Sequence, residues 1–271
     1  MPRSQLKSLV QRGNTLFPIL VWLVVCAGVT SAQVGLAQRT LAEADKLRTE
    51  WKSESFKLAA RKYTRVQGLF HVSGELRLEA ETLEKLGDVS SLLSDYQSAI
   101  AHYNQALPLA VSLKDERLEA VVLTKLGGAY LEMANVKKAS PQCSRSLEIS
   151  ERLGFEEGTA LALNCLGVAS QIASDVSQAQ EHFERALTIA QKIKVPSVLA
   201  LTQLNLGYLH SNLGNTELAL SSYKAALEIG PFFYGPKWPQ HCLGPPRSNK
   251  IFGWAEWLIS RPATNWSQYI F

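Results

Sequence analysis

The chain has 271 residues, of which 46% are hydrophobic and 19% are charged, and its formal net charge is +4. This composition is typical of a folded globular protein and excludes a disordered or fibrous one. The positive charge lies at the two ends, since residues 33–230 hold 21 basic and 23 acidic side chains. Nucleic-acid binding needs clustered cations, so the sequence predicts no nucleic-acid partner.

Residues 1–37 have the organisation of a targeting segment. A basic stretch is followed by a continuous apolar run over residues 16–29 and then by small residues. This order is typical of a secretory signal peptide, and the run is shorter than the ~18 residues that indicate a spanning helix. An uncleaved N-terminal anchor is the alternative. In both cases we expect the rest of the chain to be extracytoplasmic, secreted or periplasmic, with no membrane contact beyond that anchor.

The region over residues 38–230 repeats with a period of 40. A leucine–glycine pair recurs at this interval, with alanine seven residues before the glycine and small or aromatic residues 12, 16 and 19 residues after it. The glycines are Gly87, Gly127, Gly167 and Gly207, and the residues 16 positions later are Tyr103, Cys143, Phe183 and Tyr223. With leucine 20 residues after the glycine and leucine or isoleucine 22 residues after it, eight columns in register across four units predict an internal repeat.

Each unit is predicted to be a pair of antiparallel helices. Over residues 80–93 and 96–109, apolar residues recur at steps of three and four, which is the helical period. Asp95 lies between the two stretches as a candidate cap for the second helix, and Asn135, Asp175 and Asn215 hold the same place in the later units. The glycine inside the first helix costs about 1 kcal/mol relative to alanine. We interpret it as room for a close approach of the second helix.

An incomplete unit precedes the four clear ones. Ala59, Tyr63 and Val66 keep the spacing, but the preceding helix lacks the leucine–glycine pair. Residues 38–76 are therefore predicted to form a degenerate first repeat, as is common at the end of an array.

These columns resemble the tetratricopeptide repeat (TPR), a helix–turn–helix unit of 34 residues. The resemblance implies an all-α fold, a right-handed superhelical solenoid of antiparallel helical hairpins. We attribute the longer period to extra turns between hairpins, such as those at residues 114–116 and 154–157.

The tail over residues 231–271 breaks the pattern. It holds 10 of the 23 aromatic residues and six of the 11 prolines. Three interpretations are open: a poorly ordered extension, an aromatic segment that docks on the last repeat, or an out-of-frame end that truncates a longer repeat protein.

No catalytic or metal-binding pattern is present. The sequence has no HExxH, no phosphate loop and no GxSxG. Cys26, Cys143, Cys165 and Cys242 match neither a disulfide framework nor a zinc site, and we interpret the last three as separate buried apolar residues. We therefore predict no enzymatic activity, no cofactor and no metal.

The resemblance places a ligand along the concave face formed by the first helices. The candidate peptide-binding residues there are Lys85, Lys125, Asn164, Asn205 and Tyr208. Asparagines at this place in related arrays hydrogen-bond a peptide backbone, and the lysines would favour an acidic ligand. We expect these positions to be exposed and the chain to be a non-catalytic scaffold for a protein or peptide.

The arrangement of targeting segment, short helix pair and repeats also resembles the N-terminal half of large bacterial proteins, in which such repeats precede a caspase-like peptidase domain (the CHAT family). This resemblance implies that the chain is the recognition half of a truncated peptidase. The alternatives are a complete extracytoplasmic adaptor and a non-functional fragment.

Overall fold

The computed structural model describes residues 33–50 and 52–229. This part of the chain is helical, with short turns and no strand. A first helix, α1, covers residues 33–48. The other nine are α2 (Ser53–Ser73), α3 (Leu76–Leu92), α4 (Tyr96–Ser112), α5 (Glu116–Glu132), α6 (Val136–Arg152), α7 (Glu156–Ile172), α8 (Val176–Ile193), α9 (Pro196–Asn212) and α10 (Thr216–Ile229).

The helices pair into five hairpins that stack in chain order. We call α1, α3, α5, α7 and α9 the first helices and α2, α4, α6, α8 and α10 the second helices. Each helix packs on its neighbours in sequence, and α3, α5, α7 and α9 also contact one another from repeat to repeat. The predicted all-α solenoid is confirmed. Residues 33–37 already belong to α1, whereas residues 1–32 and the tail from residue 230 lie outside the described residues.

From α2 to α9, a turn closes each helix at an interval of 20 residues. The residues at positive φ are Gly74, Ser94, Lys114, Ala134, Gly154, Ser174, Lys194 and Gly214. Turns within hairpins and turns between them therefore have the same length. The expected extra turns between hairpins are wrong, because the additional residues of the period lengthen the helices.

Asp95 shows how one residue ends a helix and starts the next. Its backbone N–H donates to the carbonyl of Ser90 at 2.9 Å, which closes α3, as at many helix ends with a left-handed residue. Its side chain accepts from the N–H of Ser98 at 3.1 Å, which caps α4. Asn135 and Asp175 cap α6 and α8 in the same way, so the predicted capping is confirmed at these three turns.

The glycine column makes room for the residue 16 positions later. A Cβ atom on Gly87, Gly167 or Gly207 would collide with the ring of Tyr103, Phe183 or Tyr223, respectively. The small residues at 12 and 19 positions after the glycine are at most 1% exposed, and they are Ala99, Ala139, Ala179, Ala219, Ala106, Ser146, Ala186 and Ala226. The close approach inferred from the sequence is confirmed.

Candidate functional site

The first helices line the inner side of the stack. Within the described residues, the first helices of successive repeats contact one another. The second helices of successive repeats make far fewer contacts with one another. A stack whose first helices lie closer together than its second helices curves towards the first helices. The inner, concave face is therefore the face on which the sequence placed its candidate residues.

One contact recurs at three of the four junctions between successive first helices. The residue two positions before the glycine reaches back to the preceding first helix, about 40 residues upstream, as in Lys85 to Asp45 and Asn205 to Asn164. We call this set of contacts the ladder. Its donor residues are Lys85, Lys125 and Asn205, whereas Cys165 at the same position of α7 is joined in a disulfide and donates no hydrogen bond.

Ion pairs form the ladder in the N-terminal half. Lys85 Nζ lies 2.8 Å from both carboxylate oxygens of Asp45, which also accepts from the hydroxyl of Tyr63 at 2.6 Å. Lys125 Nζ lies 2.7 Å from both carboxylate oxygens of Asp88 and also pairs with Glu84. Both lysines are thus engaged within the array.

Two further residues connect the same acids to other helices. Arg48 of α1 donates to Asp88 at 3.2 Å, and the hydroxyl of Tyr103 donates to Asp88 at 3.0 Å. Three cations (Arg48, Lys85 and Lys125) therefore meet three carboxylates (Asp45, Glu84 and Asp88). Because the charges balance, an acidic ligand would have to displace one of these carboxylates.

Burial and pairing set the ionisation of this network. Burial raises the pKa of Glu84, and the attraction of Lys125 does not fully offset it. Burial would lower the pKa of Lys125, but the charges of Asp88 and Glu84 outweigh burial and raise it. Burial would raise the pKa of Asp45, but the hydrogen bonds from Lys85 and Tyr63 outweigh burial and lower this pKa. We call each contact of the ladder a rung. Lys125, the lysine of the second rung, is thus held in its charged form.

Amide and hydroxyl groups form the ladder in the C-terminal half. Asn164 Nδ2 donates to the carbonyl of Ala160 at 2.9 Å and to Thr202 Oγ1 at 2.8 Å, while its Oδ1 accepts from Asn205 Nδ2 at 2.9 Å. Asn164 is 2% exposed. The expectation that it is exposed is wrong, because its amide is enclosed between α7 and α9.

A disulfide lies between the two halves. Cys143 of α6 and Cys165 of α7 are bonded, with their Cα atoms 5.8 Å apart, a separation usual for such a bond. The interpretation of these two cysteines as separate buried thiols is wrong. Sequence spacing could not show it, because the cysteines come from the second helix of one repeat and the first helix of the next.

In the first helices of the last two described repeats, the only Asp, Glu, Lys or Arg side chains are Glu156 and Glu157 at the start of α7. Residues 158–172 and 195–212 contain no Asp, Glu, Lys or Arg. Tyr208 of α9 is 36% exposed. The amide nitrogen of Gln171, at the end of α7, is buried and has no hydrogen-bond partner. This part of the face is apolar, with amide and hydroxyl groups.

The repeated part of the sequence also matches models of a known repeat family. Residues 118–192 and 200–232 match models described as the tetratricopeptide repeat. Over these residues the chain matches the tetratricopeptide repeat. The first match spans α5 to α8, and the second begins within α9. No curated protein matches the sequence.

Solved structures share the TPR architecture at low sequence identity. A Rap protein complexed with Competence and Sporulation Factor superposes with a TM-score of 0.61 at 20% identity, covering 71% of this chain and 55% of its own. A putative kinesin light chain of Podospora anserina has a TM-score of 0.53 at 15% identity, covering 72% of this chain and 97% of its own. RapI in its apo form has a TM-score of 0.54 at 19% identity, over 73% and 56%. At these identities the likeness concerns the fold, and the chain spans about half the length of the two Rap chains.

The described TPR helices offer no cluster of ligating side chains. Within residues 33–50 and 52–229, no group of three or more His, Cys, Asp or Glu residues is arranged to hold a metal ion. Over the same stretches, no helix combines the length and apolar character needed to cross a bilayer.

Sequence reasoning missed the ladder because it compared only residues that hold the same position in successive repeats. Lysine, cysteine and asparagine at one position look like variable surface residues. The signal lies between columns: each ladder residue has a complementary partner 37 to 41 positions upstream, such as Glu84 and Asp88 for Lys125.

Proposed function

We propose that the chain is a non-catalytic scaffold that binds an extended segment of a partner protein along its inner face. TPR units and the solved TPR solenoids support this proposal, and one of those was solved complexed with Competence and Sporulation Factor. The stacked hairpins of such arrays use their extended concave surface for binding.

The observation that carries the proposal is the inner face of the last two described repeats, which has no ionic side chain over residues 158–172 and 195–212. The buried amide nitrogen of Gln171 lacks an acceptor, and a buried unsatisfied donor costs about 1–3 kcal/mol. Turning this side chain towards the inner face would let a backbone carbonyl of a bound peptide supply that acceptor. Tyr208 offers an exposed aromatic ring on the next first helix. We therefore infer a ligand with apolar, uncharged side chains in place of an acidic one.

In this proposal the ladder residues act indirectly. Lys85, Lys125, Asn164 and Asn205 hold neighbouring first helices at a fixed spacing and so define the shape of the inner face. Tyr208 is the sequence-predicted residue that contacts the ligand directly.

The experiment is selection of peptides from a random displayed library on the immobilised full chain, followed by affinity measurement with the selected synthetic peptides. We expect Gln171→Ala and Tyr208→Ala each to weaken binding by about 2- to 10-fold, the equivalent of one net hydrogen bond. Gln180→Ala is the matched control, since Gln180 lies exposed on a second helix. Failure to select any peptide, or equal affinity of all variants, would contradict the proposal.

We also propose that the chain works outside the cytoplasm. The order of basic, apolar and small residues at the N-terminus supports export, and the Cys143–Cys165 disulfide supports it independently, because such bonds persist in oxidising compartments. Fractionation of the source cells tests this, and a full-length, unprocessed chain in the cytosol with Cys143 and Cys165 as free thiols would contradict it.

The resemblance to CHAT-type proteins supports a second form of the proposal, in which the array is the recognition half of a truncated peptidase. It predicts that the gene beyond codon 230, read one base out of frame, encodes further repeats. A complete adaptor predicts that it does not, so the DNA sequence separates the two.

A further inference from the structure

The charges of the array are distributed unevenly between its hairpins. Residues 33–74, which include α1 and α2, contain eight basic and four acidic side chains. Residues 75–229 contain 13 basic and 19 acidic side chains. The first hairpin is therefore basic while the other four together are acidic, and the average charge over residues 33–230 conceals this difference.

The excess cations lie on one side of α2. Lys57, Arg61 and Arg65 follow one another at intervals of four residues and are exposed, and residues at this interval share one face of a helix. Val72 lies on the same side, seven residues after Arg65, and its 78% exposure is the highest of the large apolar side chains in the described part of the chain. The corresponding positions of α4 are uncharged and hold Gln97, Ala101, Gln105 and Ser112. The hairpin itself therefore does not require cations there.

The repeat also places an arginine where an acidic partner of Arg65 is expected. In the third hairpin, Arg145 of α6 pairs with Glu119 of α5. Eighty residues earlier, the same two positions hold Arg65 and Arg39. Both arginines are exposed, and neither makes an ion pair within the described residues. Two cations thus occupy the positions of one ion pair.

Few carboxylates offset these charges. Glu54 pairs with Lys57 at 2.8 Å, and Glu43 pairs with the neighbouring Lys62 at 2.6 Å. The three arginines on this side of the hairpin have no such partner among the described residues. We call the resulting surface the basic face, and its residues are Arg39, Lys57, Arg61, Arg65 and Val72.

We propose that the basic face docks on the anionic headgroups of a phospholipid membrane. Such headgroups attract clustered Lys and Arg side chains, and an exposed apolar side chain among the cations can enter the headgroup region. The basic face lies mainly on a second helix, whereas the proposed ligand site lies on the first helices. The docking therefore goes beyond the proposed function and leaves the inner face accessible.

The position of the apolar run supports a membrane as the partner. The run over residues 16–29 ends four positions before α1 begins at residue 33, and four residues span at most about 14 Å. In the anchored form of the chain, the first hairpin is thus the unit nearest the bilayer, near the range of ~8–10 Å over which surface charge acts. The sequence predicted no membrane contact beyond such an anchor, and the basic face adds a peripheral one.

Vesicle binding by the full chain tests this proposal. The chain is titrated with vesicles of phosphatidylcholine alone and with vesicles of phosphatidylcholine mixed with phosphatidylglycerol. We expect tighter binding to the anionic vesicles, and we expect Arg61→Ala with Arg65→Ala to reduce that preference by about 10- to 30-fold. The apolar run is present in every variant, so the change in preference isolates the basic face.

Lys137→Ala with Lys194→Ala is the matched control, because it also removes two exposed cations, one from α6 and one from the turn before α9. This variant should keep the preference for anionic vesicles. An equal loss in both double variants, or equal affinity of the wild type for the two kinds of vesicle, would overturn the proposal. If duplex DNA or polyglutamate binds with that dependence on Arg61 and Arg65 and the anionic vesicles do not, the face serves another polyanion and the proposal is wrong.

Discussion

The two halves of the array use the same contact position with different chemistry. Between α3 and α5, Lys125 meets Asp88 and Glu84 as charged groups. Between α7 and α9, Asn205 meets Asn164 through neutral amides. Both pairs join neighbouring first helices about 40 residues apart. The comparison shows that stacking fixes where a polar contact lies, while the residue type decides whether the contact depends on charge.

The largest effect is expected at the second charged rung. Lys125→Met leaves Glu84 and Asp88 without their main cation, at side-chain exposures of 15% and 19%. Removing one partner of a buried pair costs ~3–5 kcal/mol, so we expect a loss of about 3 kcal/mol in the free energy of unfolding. Urea denaturation measures it.

Lys85→Met is the matched control for that variant. Its partner Asp45 is 37% exposed and keeps the hydrogen bond from Tyr63. Exposed ion pairs contribute about 0–1 kcal/mol, so a loss as large as that of Lys125→Met would contradict the assignment of the second rung as the buried one.

The glycine column gives the next effect, and it separates Gly87 from Gly207 of the last described repeat. A Cβ on Gly87 collides with Tyr103, which is 2% exposed and bonded to Asp88. Overpacking costs ~1–3 kcal/mol, partly offset by ~1 kcal/mol of helix propensity. We expect Gly87→Ala to destabilise the protein by up to about 2 kcal/mol in urea denaturation.

Gly207→Ala should be close to neutral. Its neighbour Tyr223 is half-buried on α10 and has room to move. Gly128→Ala has no heavy atom within 4 Å of the added Cβ and should stabilise the chain slightly. If Gly87→Ala behaves like Gly128→Ala, the close approach at Tyr103 is refuted.

A smaller effect is expected for the amide rung. Asn205→Ala removes the donor to Asn164 Oδ1, a buried acceptor. We expect a loss of about 1–2 kcal/mol, the cost of leaving one buried polar group unpaired. The measurement is again the free energy of unfolding, and a loss should appear without any ligand present. No change would return Asn205 to the set of free, ligand-binding candidates.

The smallest effect concerns alkaline pH. The pKa of Lys125 is raised in the folded state, so its contribution is complete below the pKa of an unfolded lysine, about 10.4, and is lost as pH rises through the folded-state pKa. The stability difference between wild type and Lys125→Met should therefore stay constant up to about pH 10 and shrink as the pH rises further, above the pKa of an unfolded lysine. The difference for Asn205→Ala should not change.

The fold could be predicted because its determinants are local and repeated. Gly87, Tyr103 and the caps such as Asp95 each recur at fixed spacing, and each needs a helical hairpin to be satisfied. The roles of the candidate residues could not be predicted in this way. Asparagine is a residue type that usually lies on the surface. Only the stacking of α9 on α7 shows that the amide of Asn164 is enclosed.

The central claim is that the ladder residues hold the repeats together. Double-mutant cycles test it most directly, one between Lys125 and Asp88 and one between Asn164 and Asn205. We predict a coupling energy of about 0.5–3 kcal/mol for each pair in contact. Raising the salt to about 1 M, where the Debye length is ~3 Å, should reduce the first coupling and leave the second unchanged. Coupling energies near zero for both pairs would contradict the account.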